Sequence, residues 1–210
     1  MRIVALASGG LDSSVMMLLL KKEGHDLFPL FIDYGQLARE REWEACQKIC
    51  RYLNLKPCRM DISGFGKIIP SGITNDNLDI EKNAFLPARN LLFLTVGASY
   101  GYVKSAYVIA IGLLSNPIFP DQTVKFVQMA QKSISMALGV DIKILAPLIF
   151  LNKIDTMGLA RKYGLPSSLT YSCHSGNKEP CGFCISCKER VVAEDYFSKK
   201  NLKAHLKRTS

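Results

Sequence analysis

Two clusters in this 210-residue chain hold the residue types that act on phosphates and on metals. The first is Ser8-Gly9-Gly10-Leu11-Asp12-Ser13-Ser14, which follows the apolar run Ile3 to Ala7 and precedes the apolar run Val15 to Leu20. Between a strand and a helix, paired glycines let backbone approach an anion closely, and the free amides and dipole of the helix start stabilise negative charge. Phosphate is the natural guest. For Gly-Gly alone the plain alternative is an ordinary strand-to-helix turn capped by Ser8 or Asp12. The string is not a Walker loop, because no Gly-Lys-Ser or Gly-Lys-Thr follows, and it lacks the spacing of a dinucleotide fingerprint.

The second cluster is Cys173-x7-Cys181-x2-Cys184-x2-Cys187. Four thiolates complete the tetrahedral shell that zinc prefers, and the short spacers fold them around one ion, with Gly182 easing the tight turn. A closed shell of this kind is structural. Four cysteines also suit an iron–sulfur cluster, and a disulfide pair or unliganded thiols are the bland alternatives. His174 adjoins the cluster but is surplus to a complete shell. The remaining cysteines of the seven, Cys46, Cys50 and Cys58, sit in helical or strand-like surroundings, where a free cysteine behaves as a small buried hydrophobe. With no secretion signal, crowding between 173 and 187 favours a metal over a disulfide framework.

The elements that must position these clusters alternate. Ile3 to Ala7 reads as a strand, then comes a helix through Val15 to Leu20, and Leu27 to Ile32 is the next apolar run. Trp43, Cys46, Cys50 and Leu53 recur at helical spacing on a charged segment, which predicts an amphipathic helix. Cys58 to Ile62 reads as a strand, Leu91 to Val103 as a helix, Tyr107 to Ile111 as a strand, Val124 to Leu138 as a helix and Ile142 to Leu145 as extended. Such βαβα alternation predicts an α/β fold, an open parallel sheet with helices on both faces. Two stretches break the rhythm. Ser63 to Ala84, rich in Gly, Asn and Asp, reads as a long irregular loop of the kind that forms lids or binding loops, and residues 165 to 190 read as an irregular Ser, Gly, Pro and Cys-rich segment.

Composition narrows the class. With 48% apolar residues the length suits one well-buried domain. No run of about eighteen apolar residues occurs, so no membrane span is expected, and the amino terminus reads as a buried strand, which points to a cytoplasmic protein. The formal charge of +9 is diffuse, with much of it in Lys199, Lys200, Lys203, Lys207 and Arg208. No aromatic-interleaved basic run accompanies it, so the reading is a solvated basic surface, or one serving anionic small molecules, and direct nucleic acid binding is not expected.

Ser-Gly-Gly-Leu-Asp-Ser after the first strand resembles the PP-loop of ATP pyrophosphatases, which cleave ATP between the α- and β-phosphates and cradle the departing pyrophosphate. Further motifs in the same order extend the likeness over nearly the whole chain: Asp33-Tyr34-Gly35-Gln36 with Arg39-Glu40-Arg41-Glu42, Leu86-Pro87-Ala88-Arg89-Asn90, and Ser172-Cys173 through Pro180-Cys181-Gly182-x-Cys184-x2-Cys187-x2-Arg190. Together they resemble the 7-cyano-7-deazaguanine synthase family of queuosine biosynthesis.

That resemblance implies an adenine nucleotide alpha hydrolase-like domain over 1–164 and a zinc-binding C-terminal segment over 165–210 packed on the same core. It implies that Ser8, Gly9, Gly10, Asp12, Ser13 and Ser14 line the phosphate site, with Ala7, Leu11 and Val15 completing the run and Asp33 and Tyr34 at a strand end where such sheets place ligands. Asp33 and Tyr34 serve equally as caps of the next helix. The family converts 7-carboxy-7-deazaguanine to the nitrile with ammonia and two ATP, so adenylating ligase activity, ATP, Mg2+ and Zn2+ follow as expectations, and so does a homodimer. Lys153 is the candidate α-phosphate cation, Arg89 and Asn90 are candidates for holding the substrate carboxylate or the adenylate, and Asp121 joins them as a candidate catalytic residue. One segment departs from the family pattern. Pro120 and Asp121 keep its Pro-Asp pair, but Gln122 and Thr123 stand at its cysteine and arginine, and its leading aspartate is absent. A relative adenylating another carboxylate for another amine, and a PP-loop tRNA-modifying enzyme, are the competing readings.

Overall fold

The computed structural model describes residues 1–206, with side chains described through Lys199. Lys207 and Arg208 of the basic tail lie outside the described residues, as do the side chains of Lys200 and Lys203. Five parallel strands, β1 (Arg2–Leu6), β2 (Asp26–Asp33), β3 (Cys58–Asp61), β4 (Val108–Ala110) and β5 (Lys143–Leu145), form one sheet in the order β3-β2-β1-β4-β5. Ala5 of β1 stands level with Pro29 of β2 on one side and Ala110 of β4 on the other. The chain therefore winds outward from β1 in one direction, returns, and winds outward in the other, which makes the crevice between the carboxyl ends of β1 and β4 the switch point where such sheets bind ligands.

Alternation along β1 divides the core. Ile3, Ala5 and Ala7 face one layer with α1 (Leu11–Lys22), α2 (Arg39–Tyr52), α6 (Lys153–Lys162) and α7 (Ile185–Leu206), whereas Val4 and Leu6 face α4 (Arg89–Val103) and α5 (Val124–Leu138). Both faces of the parallel sheet are thus covered, as its apolar strands require. The expected elements all form within a few residues of their predicted bounds, and Val124–Leu138 matches at both ends. Sequence explains the ends. Thr123 caps α5 by accepting from Phe126 N at 3.1 Å, and Gly139 terminates it at φ +66°. Asn152 and Asp155 form a reciprocal capping box at the start of α6.

Two expectations change. The segment 165–190 is not irregular throughout: α7 begins at Ile185, and its Ala193 is fully buried against the first core layer, with Phe197 packed beside it. Its hydrophobic period is weak because the first turn serves the cysteine cluster and the site rather than the core. The stretch 63–84 is no free loop. It holds the short helix α3 (Gly64–Ile68), buries Ile73 and Ala84 in the second layer, and is tied to the chain after β2 by Leu37 N donating to Ile73 O at 2.9 Å. Among the described residues no helix is long and apolar enough to cross a membrane.

Candidate active site

The phosphate loop turns at Gly9, whose φ of +76° favours glycine, and a Cβ there would collide with the Glu42 carbonyl and sit 2.7 Å from Cys46 N. Backbone of α2 therefore packs directly on the loop. Ser8 Oγ and Ser13 Oγ lie 3.1 Å apart, Gly10 N donates to Ser8 Oγ at 3.3 Å, and Ser14 Oγ donates to Gly10 O at 2.7 Å. The hydroxyls thus fold the turn on itself. No side chain caps α1, so the amides of its first turn are left for an anion, beside the dipole of a helix that ends on Lys21 and Lys22. Gly112, just after β4, passes with its Cα side facing the backbone of Asp12 and Ser13; a Cβ would lie 3.2 Å from both Asp12 C and Ser13 N. The two glycines thus let backbone pack directly on both flanks of the loop.

Above this loop lies a cavity of about 280 Å³. Lys153, the first residue of α6, places Nζ 2.6 Å from Asp12 Oδ2 and 3.4 Å from Glu189 Oε2 of α7. All three line the cavity, and Asp12 Oδ1 is buried without a partner. A second group of polar side chains lines it from the β2 side. Tyr34 is buried with its ring centroid 5.0 Å from that of Phe93, and burial pushes its hydroxyl up to about 12 against the pull of the Arg89 guanidinium. Gln36 is buried and donates from Nε2 to Glu42 Oε2 at 2.9 Å. Burial pushes the Glu42 carboxyl up to about 7, and the Gln36 bond and the charge of Arg89 only partly offset it. His174 hydrogen-bonds Ser186 Oγ through Nε2 at 2.9 Å and leaves Nδ1 buried without a partner. Desolvation, with Arg89 and Lys153 nearby, lowers its pKa to about 4, so it stands neutral.

Of the residues singled out in the sequence, the cavity brings together Ala7, Ser8, Gly10, Asp12, Ser13, Tyr34, Arg89, Asn90 and Lys153. Gly9 and Ser14 shape the turn from behind, and Leu11 and Val15 are core residues of α1. Two are placed elsewhere. Asp33 turns away from the cavity, accepting from Arg59 Nη2 at 2.6 Å and from Gly35 N at 3.1 Å. Asp121 caps α4 from outside that helix, its Oδ2 accepting from Asn90 N at 3.1 Å while its carbonyl accepts from Asn90 Nδ2 at 2.9 Å. The cap is needed because Ala88, at φ +56°, offers α4 no capping side chain. Gln122, at the family's cysteine position, stitches its own turn by accepting from Ile118 N and Phe119 N at 2.7 and 3.0 Å.

Sequence reasoning left Gln36, Glu42, His174 and Glu189 without a role. Gln36 and Glu42 belong to the family-like stretch Asp33 to Glu42, which is the signal available for them; His174 and Glu189 reach the cavity only because the cysteine segment folds back on the loop, through Tyr171 N donating to Gly9 O at 3.0 Å.

Cys173, Cys181, Cys184 and Cys187 converge with their sulfurs all within 4.8 Å of one another, and Cys181 and Cys187 are 4.0 Å apart. A single ion with metal–sulfur bonds of about 2.3 Å in a tetrahedron needs sulfurs separated by about 3.8 Å, so the four fit one ion. Amides support them: Cys181 N donates to Cys173 Sγ at 3.3 Å and Cys184 N to Cys181 Sγ at 3.4 Å. Burial alone disfavours a Cys173 thiolate, but the Cys181 amide and Ser175 donors outweigh it and bring the thiol down to about 6. Burial raises Cys184 and Cys187, an effect that a cation bound among the four sulfurs would oppose.

A parallel α/β sheet with a glycine loop at its switch point and a lysine facing that loop is the arrangement of the PP-loop fold. Solved structures share the fold: the U34-tRNA thiolase NcsA from Methanococcus maripaludis has a TM-score of 0.57 at 19% identity, covering 97% of this chain and 67% of that one. NMN synthetase from Francisella tularensis has a TM-score of 0.55 at 14% identity, covering 86% and 70%. Sequence comparison goes further. The family model for the queuosine biosynthesis protein QueC matches residues 2–197, and the chain belongs to that family. It is 36% identical to the 7-cyano-7-deazaguanine synthase of Picrophilus torridus over 90% of this chain and 85% of the relative, and 33% identical to that of Nautilia profundicola over 90% and 91%.

Proposed function

We propose that this protein makes 7-cyano-7-deazaguanine from 7-carboxy-7-deazaguanine, ammonia and ATP, releasing AMP and pyrophosphate. The observation that carries the reading is the pairing of an uncapped glycine loop with Lys153 on the wall of one cavity. A carboxylate is a poor electrophile. Transfer of AMP to it, with pyrophosphate leaving, gives an acyl adenylate that ammonia attacks to form the amide with loss of AMP. A second AMP transfer to the amide oxygen, again releasing pyrophosphate, lets AMP leave with that oxygen while the nitrogen gives up its protons to form the nitrile.

The chain's groups act on the charge in both transfers. The loop amides and Ser8, Ser13 and Ser14 receive the departing pyrophosphate. Lys153 is held at the loop by Asp12 and Glu189, and its ammonium neutralises the α-phosphate as the nucleophile arrives. Arg89 and Asn90 orient the acid. Magnesium supplies further neutralisation of the phosphates, and Asp12, whose Oδ1 is buried without a partner, is the carboxylate to hold it. In the cysteine cluster we assign zinc: the sulfurs lie too close together for the larger span of a four-iron cluster. An ion held by the four cysteines would brace the segment that carries Ser172 and His174 against the loop. The working molecule is taken as a cytoplasmic homodimer.

The test is incubation of purified protein with ATP, Mg2+, ammonium and the acid. The nitrile is expected by mass spectrometry, with AMP and pyrophosphate in step. Nucleotide turnover that yields only ADP and inorganic phosphate overturns the reading. Activity on an unrelated acid, or one that requires tRNA, transfers it to one of the competing functions.

A further inference from the structure

We propose that Glu42, oriented by Gln36, is the specificity residue of this cavity and reads the paired N–H donors on the 2-aminopyrimidinone edge of the acid substrate. The inference rests on the functional reading above and adds the group that selects the acid.

Glu42 is a half-buried carboxylate with no ion-pair partner, and the Arg89 guanidinium acts on it only through longer-range attraction. Among the described residues no Lys, Arg or His comes within ion-pair distance of it, and its Oε1 accepts no hydrogen bond. Only Oε2 is engaged, by Gln36 Nε2 at 2.9 Å. That donor is rigid: Gln36 is buried, its Oε1 accepts from Tyr34 N at 2.9 Å, and its Nε2 also reaches Ile32 O at 3.3 Å. The carboxylate is thus aimed, not merely tolerated. The same cavity is lined by Leu30, Ile32, Tyr34 and Phe93, surfaces suited to a flat ring. An acid placed among them without a partner costs free energy, which donors on a ligand recover.

Burial drives the carboxyl toward its neutral form, and two N–H donors on a ligand favour the ionised form again. The AMP transfers described above draw on the loop, Lys153, Arg89 and Asn90, and leave Glu42 without a part in them. The choice of guest follows from donor pattern. A 2-aminopyrimidinone offers two adjacent parallel N–H groups to the two carboxylate oxygens. Adenine offers one amino group flanked by ring acceptors, whose lone pairs oppose the second oxygen. Glu42 therefore suits the acid and not the nucleotide.

The test measures acid-dependent pyrophosphate release with 7-carboxy-7-deazaguanine and with its 2-desamino analogue, for the parent protein, Glu42→Gln and Glu42→Asp, together with KM for ATP. The parent is expected to prefer the 2-amino acid by about 10- to 100-fold in kcat/KM, the range of one charged hydrogen bond. In Glu42→Gln that preference collapses and KM for ATP is unchanged; Glu42→Asp, which keeps the charge, retains part of the preference. A parent that treats the two acids alike overturns the proposal without recourse to any variant. So does a preference that survives in Glu42→Gln, or a rise in KM for ATP with the acid's KM unmoved. A parent inert toward 7-carboxy-7-deazaguanine sinks the functional reading and this proposal together, whereas activity with an unchanged preference sinks only the role of Glu42.

Discussion

Asp12 gives one oxygen to Lys153 and leaves the other buried without a partner, so it links the phosphate loop to the cation and offers a ligand position at once. Asp12→Asn removes the charge but keeps the shape. Pyrophosphate release is expected to fall by at least about 100-fold, as for loss of an oriented charge-stabilising group, with circular dichroism and melting temperature close to the parent's. Undiminished turnover contradicts the loop assignment. Glu42 gives a second test at this scale. Its carboxyl rises from 4.5 to about 7 on folding, so the folded state holds a proton that the unfolded chain has released. Stability from this group is fully present below 4.5 and is lost as pH rises through 7. Relative to the parent, Glu42→Gln is therefore expected to gain in melting temperature as pH goes from 4.5 to 7 in the absence of ligands. A difference independent of pH rejects the buried-acid account, and the comparison between two proteins cancels the groups that Glu42 does not influence.

At the scale of elements, the start of α4 shows how position converts a residue's role. Arg89 and Asn90 reach the cavity because α4 begins there, and α4 begins there with its second amide satisfied by Asp121, a residue 31 positions later. Asp121→Ala is expected to lower stability by about 1 kcal/mol, the usual cost of an N-cap. For a chain of this size that is a fall of roughly 2–4 °C in melting temperature. The accompanying loss of activity is expected to appear mainly in KM for the acid, through misplaced Arg89 and Asn90. A large fall in kcat with unchanged stability would instead assign Asp121 to the chemistry. The altered Gln122 fits the same picture, since it is engaged in holding the turn that delivers Asp121.

At the scale of the molecule, the cysteine cluster ties the carboxyl-terminal quarter to the phosphate loop. The loop accepts a backbone bond from Tyr171, and α7 sends Ser186 and Glu189 into the cavity from just beyond Cys184. Metal analysis is expected to give one zinc per chain. Cys184→Ser, which alters a fully buried ligand, is expected to cost the zinc and to expose the segment after Leu165 to proteolysis with loss of turnover. Iron in place of zinc, or no metal at all, contradicts the assignment.

Local chemistry in the sequence was sufficient for much of this. The glycine loop, the four-cysteine spacing, the helix of Val124–Leu138, and the βα alternation are all written in contiguous residues, and short-range geometry enforces them. Roles that depend on residues far apart were not legible. That Asp33 turns to Arg59, that Asp121 caps a helix begun 32 residues earlier, and that Glu42, His174 and Glu189 meet in one cavity are decided by how the layers pack. A side chain's environment there comes from other elements, and no spacing along the chain encodes which face of a sheet or which end of a helix it will meet.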